Sequence, residues 1–433
     1  MNVLLAESPI NFQKIAVRLM CSFFVAVIFL GEGLCFWDKS SVAHSQSFYG
    51  NDLQIQNQNS YKASVEEVRL KLWKISLNRR YGNAYKNFIK KGVVHVKMTK
   101  YINRLPLKIN VIEINRGINP EIRIAPVTAG EKLAKKASVL SISQKSNSFA
   151  AINGSYFKPQ TGVPLGILMI DKKILTGPVY DRVALGITDN GFKMERVSLN
   201  ATLSYRGNKI KVNNINQPRM LSTDVLIYTS DWGKTSPKTP KYGIQAAVKD
   251  GVIIEKSTLP LTIPENGYVI SAPESKFEEL ITVTSERKIL KKVKNPKIEL
   301  DIKTNPNWED VNHIIGGGPF LVKEGNIFVD YVDEKFKPIT GKNPRTAIGY
   351  TKEGHFIMVT IDGREETSVG AGLFELAKIM KSFDCEYAMN LDGGGSSTMQ
   401  INGKIVNNPS IKGGIAVSNV LALNENERIT YAE

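Results

Sequence analysis

The sequence predicts an α+β fold: a single large mixed-sheet domain with few helices, preceded by a leader and a basic helix. Three observations carry this expectation. From Val93 onward, short runs rich in β-branched and aromatic residues are separated by Gly, Pro, Asn and Asp. Helical periodicity is confined to a few stretches. The strands and helices do not alternate regularly, as a doubly wound sheet would require.

Residues 1–45 read as a signal peptide or an N-terminal anchor. Lys14 and Arg18 precede an apolar run from Leu19 to Gly31, which Glu32 interrupts. That run is short for a span of about 20 residues and suits a signal-peptide h-region. Ser41, Ala43 and Ser45 supply small residues for cleavage nearby. Either reading makes the protein exported: periplasmic, cell-surface or secreted. Contact with a membrane is expected only through an uncleaved anchor.

Residues 46–92 read as a polar linker and a basic helix. Ser64 and Glu67 form a capping-box pattern. Val65, Val68, Leu72 and Ile75 recur at helical spacing, so the helix is expected to run toward Lys90, as a spacer or docked on the main domain.

Residues 93–424 form the expected main domain. Strands are predicted at Val93 to Lys97, Leu107 to Ile114, Glu121 to Pro126, Phe149 to Ile152, Gly166 to Ile170, Val183 to Thr188, Val225 to Thr229 and Gly243 to Lys249. Asp189-Asn190-Gly191, Asp250-Gly251 and Asn402-Gly403 read as hairpin turns. Helices are expected over Ala137 to Ser146 and, most clearly, Ser368 to Phe383, where Leu373, Leu376, Ala377 and Met380 share a face.

Composition excludes several classes. The net charge of +16 favours anionic partners, but no Lys/Arg run interleaved with aromatics marks a nucleic-acid stripe, so no nucleic acid is expected. Cys385 alone remains beyond the leader, so no internal disulfide forms there. The four histidines show no metal-ligand spacing, and neither HExxH nor CxxC occurs.

Polar and Gly-rich motifs sit at the ends of apolar runs. They are Asn153-Gly154-Ser155-Tyr156-Phe157, Gly316-Gly317-Gly318-Pro319, Asn343-Pro344-Arg345-Thr346, Asp362-Gly363-Arg364, and Asn390 to Ser397, NLDGGGSS. Glycines permit positive φ and close approach of a ligand, and successive amides can form an anion nest. Arg345 offers a guanidinium fork for phosphate or carboxylate. Asp362 and Asp392 each end a strand, where a rigid element can hold a carboxylate at a rim. The last motif lacks the P-loop lysine and the G-x-S-x-G frame, and no His is placed to activate Ser396 or Ser397.

In this order the motifs resemble the phosphodiester glycosidase family. The matching stretches are AAINGSYF, GGGPFLVKEG, NPRTAIGYTKEGHFIMVTIDGR and the segment from Ser368 to Met399. Asp384 stands where the family ends a helix with Gly, and no Arg precedes the last strand in Gly413 to Val417.

The resemblance implies hydrolysis of a glycosyl-1-phosphodiester of the N-acetylhexosamine-phosphate type. The substrate would be an anionic glycan or a sugar-phosphate polymer of the cell envelope. Candidate catalytic residues are Asp392, Asp362 and Arg345, with the two aspartates unassigned between nucleophile, base and cation stabiliser. Candidate binding residues are Asn153, Gly154, Asn390, Gly393, Gly394, Gly395, Ser396, Gly317, Gly318 and Arg364. No cofactor is required. A divalent cation among Asp362, Asn390 and Asp392 is compatible with the residues but not demanded. The competing expectation is a non-catalytic binder of anionic cell-surface polysaccharide.

Overall fold

Strand Phe356–Ile361 shows how this sequence builds its core. Phe356 and Met358 face one apolar cluster, while Ile357, Val359 and Ile361 face another. This two-residue period makes a strand buried on both faces. In the computed structural model, which describes residues 65–282, 296–336 and 341–425, it lies near the middle of an eight-stranded sheet. That sheet runs in the order Tyr85–Lys90, Val93–Ile102, Leu105–Ile114, Phe356–Ile361, Arg345–Thr351, Cys385–Asn390, Phe320–Lys323 and Asn326–Ile327.

Helix α1 (65–81) and a later helix cover one face of this sheet. Trp73, Leu77 and Tyr81 of α1 join Leu376, Ala377 and Met380 in the same cluster. The opposite face packs on a five-stranded sheet in which Ala150–Asn153 lies between Met399–Ile401 and Asn419–Glu425. Two further five-stranded sheets and a three-stranded sheet complete the fold, with helices α2 (Val139–Lys145), α3 (Glu274–Ile281) and α4 (Leu373–Ser382). The α+β expectation is borne out.

The helix expected to reach Lys90 stops at residue 81. Gly82 takes a φ of 54° and its amide closes on Asn78 O, after which Tyr85–Lys90 pairs with Val93–Ile102 as an edge strand. The helix and this strand belong to the same compact unit as the rest. Glu113 fixes α1 to the sheet. It is fully buried and accepts hydrogen bonds from Arg80 at 2.7 Å, Tyr81 at 2.7 Å and Trp73 at 2.9 Å, with His355 Nδ1 at 3.0 Å.

Helix α4 starts later than expected, at Leu373. Ser368 to Gly372 is irregular instead, with isolated bridges from Ser368 to Glu365 and from Ala371 to Asn343: Ser368 Oγ donates to Asp362 O at 2.7 Å, and Glu375 reaches back to the Gly372 amide at 2.8 Å. Asp384 takes the left-handed φ of 57° expected after this helix, and Asn402 and Gly403 (48° and 73°) form the expected tight hairpin. The leader and Ser64 lie outside the described residues. No helix among the described residues is long and apolar enough to cross a membrane.

Candidate active site

The loop following strand Cys385–Asn390 winds into a 3₁₀ turn at Gly394–Ser396, which folds back on Asp392. Ser396 Oγ donates to Asp392 Oδ2 at 2.6 Å, and the Gly393 amide donates to Oδ1 at 3.0 Å. Burial nevertheless dominates and pushes the Asp392 carboxyl up to about 6. Asp392 and Ser396 open onto a cavity of about 420 Å³ walled by Lys136, Phe157, Pro159 and Ile415.

Asn153 holds this loop from the end of its strand in the facing five-stranded sheet. Its Nδ2 donates to Asp392 O at 2.7 Å, and its Oδ1 accepts from Thr346 Oγ1 at 2.8 Å and the Thr398 amide at 3.2 Å. Three distant segments thus meet on one fully buried amide. Gly154 follows because nothing larger fits: a Cβ there would sit 1.9 Å from Asn419 Oδ1. That Asn419 oxygen accepts from the Ser155 amide at 3.0 Å.

Tyr156 joins the second motif to the last. Its hydroxyl donates to Gly318 O at 2.8 Å and accepts from Asn390 Nδ2 at 2.7 Å. Burial raises its pKa, as does the charge of Asp392, while Arg345 and Arg182 oppose the rise. All three charges therefore act on one hydroxyl. Asn390 Oδ1 is buried with no hydrogen-bond partner among the described residues. Gly317 and Gly318 are glycines for space: a Cβ would meet Asn390 O at 2.6 Å and Glu334 Oε2 at 2.4 Å respectively. Glu334 is buried, its carboxyl raised by that burial, and accepts from the Phe320 amide at 2.8 Å and the Val183 amide at 3.1 Å.

Arg345 is 3% exposed at the start of its strand. Its Nε donates to Ala371 O at 2.8 Å and its Nη2 reaches Gly341 O at 3.4 Å. Burial lowers its pKa, with Tyr156 and Glu375 opposing. A Cβ on Gly393 would lie 3.9 Å from Arg345, and one on Gly394 3.2 Å from Arg364 Nη2, so both arginines border the glycine loop. Arg364 also donates to Asn343 Oδ1 at 3.0 Å.

Two expectations change. The three glycine amides do not form an open nest. The Gly393 amide is spent on Asp392, the Gly394 amide donates to Pro344 O at 2.9 Å, and Gly395 packs toward Ile411 and Ile415. Asp362 does not face Asp392 across one pocket. It is 3% exposed, and its Oδ1 accepts from Asn407 Nδ2 and the Asn408 amide, both at 3.0 Å. It borders a different cavity of about 450 Å³, with Lys97 and Lys108. Burial raises its pKa against those two bonds. Asp362 reaches the loop only indirectly, through Asn407, which also donates to Ser397 O at 3.1 Å.

Asp362 and Asp392 line different cavities, and no group of three His, Cys, Asp or Glu residues suited to a metal occurs among the described residues. Cys385 is buried and its thiol is pushed far up by that burial, which suits packing rather than nucleophilic attack.

Tyr156, Arg182, Glu334 and Asn419 were not singled out from the sequence as site residues. Tyr156 sits in the first of the strand-end motifs, but its role depends on Gly318 and Asn390, which are distant along the chain.

Comparison with known proteins accords with the motif reading. Residues 242–424 match the phosphodiester glycosidase family. Over 108 residues the chain is 33% identical to the mouse N-acetylglucosamine-1-phosphodiester alpha-N-acetylglucosaminidase, and that alignment covers 22% of this chain and 21% of the relative. The cattle enzyme of the same name is 39% identical over 108 residues, covering 22% of this chain and 20% of the relative. The chain thus matches about a fifth of the length of each. A crystal structure of a hypothetical protein from Synechocystis shares the fold, with a TM-score of 0.67 at 21% identity, covering 77% of this chain and 62% of that one.

Proposed function

With the phosphodiester glycosidase match over residues 242–424 as premise, we propose that the protein is an exported hydrolase that cleaves a glycosyl-1-phosphodiester of the N-acetylhexosamine-phosphate type. The observation that carries this reading is Asp392. It is a carboxylate at a strand end, pushed up to about 6 by burial, clamped by Ser396 and Asn153, and open to a cavity.

The geometry suits the chemistry. The bond broken joins the anomeric carbon to the phosphate oxygen. Water supplies the hydroxyl to that carbon, and the phosphate leaves as a monoester. An oxocarbenium-like state develops on the sugar, which a nearby carboxylate stabilises. Asp392 is the residue placed for this, either directly on the anomeric carbon or by taking a proton from the attacking water. The phosphate leaving group is weakly basic, so it needs charge neutralisation more than protonation. The field of Arg345 and Arg182, felt together at Tyr156, supplies positive potential there. Asp362 is reassigned from a catalytic pair to positioning. Through Asn407 it holds the backbone of Ser397 at the end of the glycine loop.

The test is direct. Residues 46–433 are incubated with a methyl N-acetylglucosamine-1-phosphodiester and with an anionic sugar-phosphate polymer, and free sugar is measured. Released sugar supports the enzyme. Saturable binding without release replaces it with a glycan binder.

A further inference from the structure

A line of aromatic and cationic side chains leaves the site in one direction. The Tyr156 ring lies 5.6 Å from Phe336, and Arg182 covers Phe336 at 3.7 Å and Tyr180 at 5.6 Å. Tyr180 is 59% exposed, with Lys335 Nζ 5.0 Å from its ring. Its backbone is left-handed, with φ of 55°, and Asp181 follows at 49°. Such a conformation is rare for a bulky side chain and is retained where the surroundings impose it. Here it presents an aromatic ring to solvent instead of burying it.

Beyond Tyr180 the surface is hollowed twice. A depression of about 330 Å³ runs from Tyr180 to Lys211. A second, of about 480 Å³, carries Lys211 and Lys303. The two share Ser198, Leu199 and Lys211, so they run into one another. Lys211 and Lys303 are exposed on the same face of the three-stranded sheet, and neither has an ion-pair partner among the described residues. Asp181 lines the first hollow, and Asp301, opposite Thr202, lies two residues from Lys303 on the same strand face. Lys211 sits opposite Thr202 and Lys303 opposite Asn200, so the two ammonium groups are spaced across this face.

We infer that this track binds the chain of a sugar-phosphate polymer flanking the linkage cleaved at Asp392. Such a polymer alternates sugar rings with anionic diesters. Tyr180 offers a flat apolar face for the C–H side of a ring, and Lys211 and Lys303 offer two spaced ammonium groups for phosphates. The assignment rests on the glycosidase reading only for its catalytic readout; binding tests it separately.

The experiment compares wild type with Tyr180→Ala and with a Lys211→Glu/Lys303→Glu double variant. The substrates are a methyl N-acetylglucosamine-1-phosphodiester and a poly(N-acetylglucosamine 1-phosphate). The double variant should raise KM for the polymer on the order of tenfold, since each exposed ion pair is worth up to about fivefold and reversal adds repulsion. Tyr180→Ala should raise it severalfold. Both should treat the small diester as wild type does, and melting temperatures should be unchanged. Equal KM values for the polymer across all three proteins would overturn the track. If wild type hydrolyses neither substrate, the glycosidase reading fails, and anisotropy with the fluorescently labelled polymer decides the track alone. Binding that weakens in the double variant upholds it, and unchanged binding overturns it. Equal lysine-dependent binding of poly(dT) would show an unspecific polyanion surface and overturn the glycan assignment.

Discussion

Replacing Asp392 by Asn should stabilise the protein at neutral pH while removing its activity. An aspartate moved from its usual 3.8 to about 6 by burial loses about 3 kcal/mol of stability when it ionises, at 1.36 kcal/mol per unit. The sign follows from the raised value. Below about pH 4 the carboxyl is neutral folded and unfolded, and the stability is fully present. Between about pH 4 and 6 the unfolded chain ionises first, and the stability is lost as pH rises through the folded value. Asparagine has no charge to bury and can keep the Gly393 amide bond. Any fixed offset from exchanging a hydroxyl for an amide is the same at every pH. The stability difference, Asn variant minus wild type, should therefore grow by up to about 3 kcal/mol from pH 4 to pH 8. Urea unfolding at the two pH values reads it. A difference flat across that range would refute a buried, proton-linked Asp392. The same substitution should lower kcat/KM at least about a thousandfold. The wild-type rate should rise through pH 6 if the ionised form is the reactive one. A rate that instead falls through pH 6 would make Asp392 a proton donor.

Arg345→Lys should lower turnover of the phosphodiester roughly tenfold or more, because a lysine cannot both bond Ala371 O and spread its charge toward Tyr156; an unaltered rate removes Arg345 from the site. Gly154→Ala should cost about 2 kcal/mol or more and lower the melting temperature, since the new carbon lands 1.9 Å from Asn419 Oδ1. Glu113→Gln should cost up to about 3–5 kcal/mol by removing the buried carboxylate that Arg80 meets at 2.7 Å and leaving it only Asp384 at 3.4 Å, and should release amide-exchange protection in α1 first. Burial alone would raise the Glu113 pKa, but His355, Arg80, Tyr81 and Trp73 lower it overall. Its stabilisation is therefore present above the usual carboxylate range and is lost as pH falls through the lowered value. An acid limb in the wild-type melting curve that disappears in the Gln variant checks this.

Much of the fold was legible because its strands alternate or run apolar between clear turns. Asn402-Gly403 and Asp384 carry their backbone conformations in their residue types. The stretch from Gly82 to Lys90 was not legible. YKNFIK spaces its apolar residues ambiguously, and only pairing with Val93–Ile102 makes it a strand. The site was legible as a set of strand-end motifs, and Asn153, Asn390, Asp392 and Arg345 do converge. What the motifs could not reveal is which polar groups the fold consumes. Two of the three glycine amides and most of the Asp362 hydrogen-bonding are spent on neighbours such as Pro344, Asn407 and Asn408. Those partners lie far along the chain, and residue type alone does not show whether a donor faces a ligand or a loop.

The strand Ala150–Asn153 lies between two strands contributed by the last quarter of the chain. The segment that matches the glycosidase family begins at residue 242, well after it. Residues 242–424 therefore hold Asp392 but lack the amide that clamps it. That segment is not a transplantable cassette. Grafted onto another scaffold, it would bring the acid without its clamp and expose both flanks of an unfilled sheet. The Asp392 loop thus depends for its clamp on a side chain 239 residues earlier in the chain.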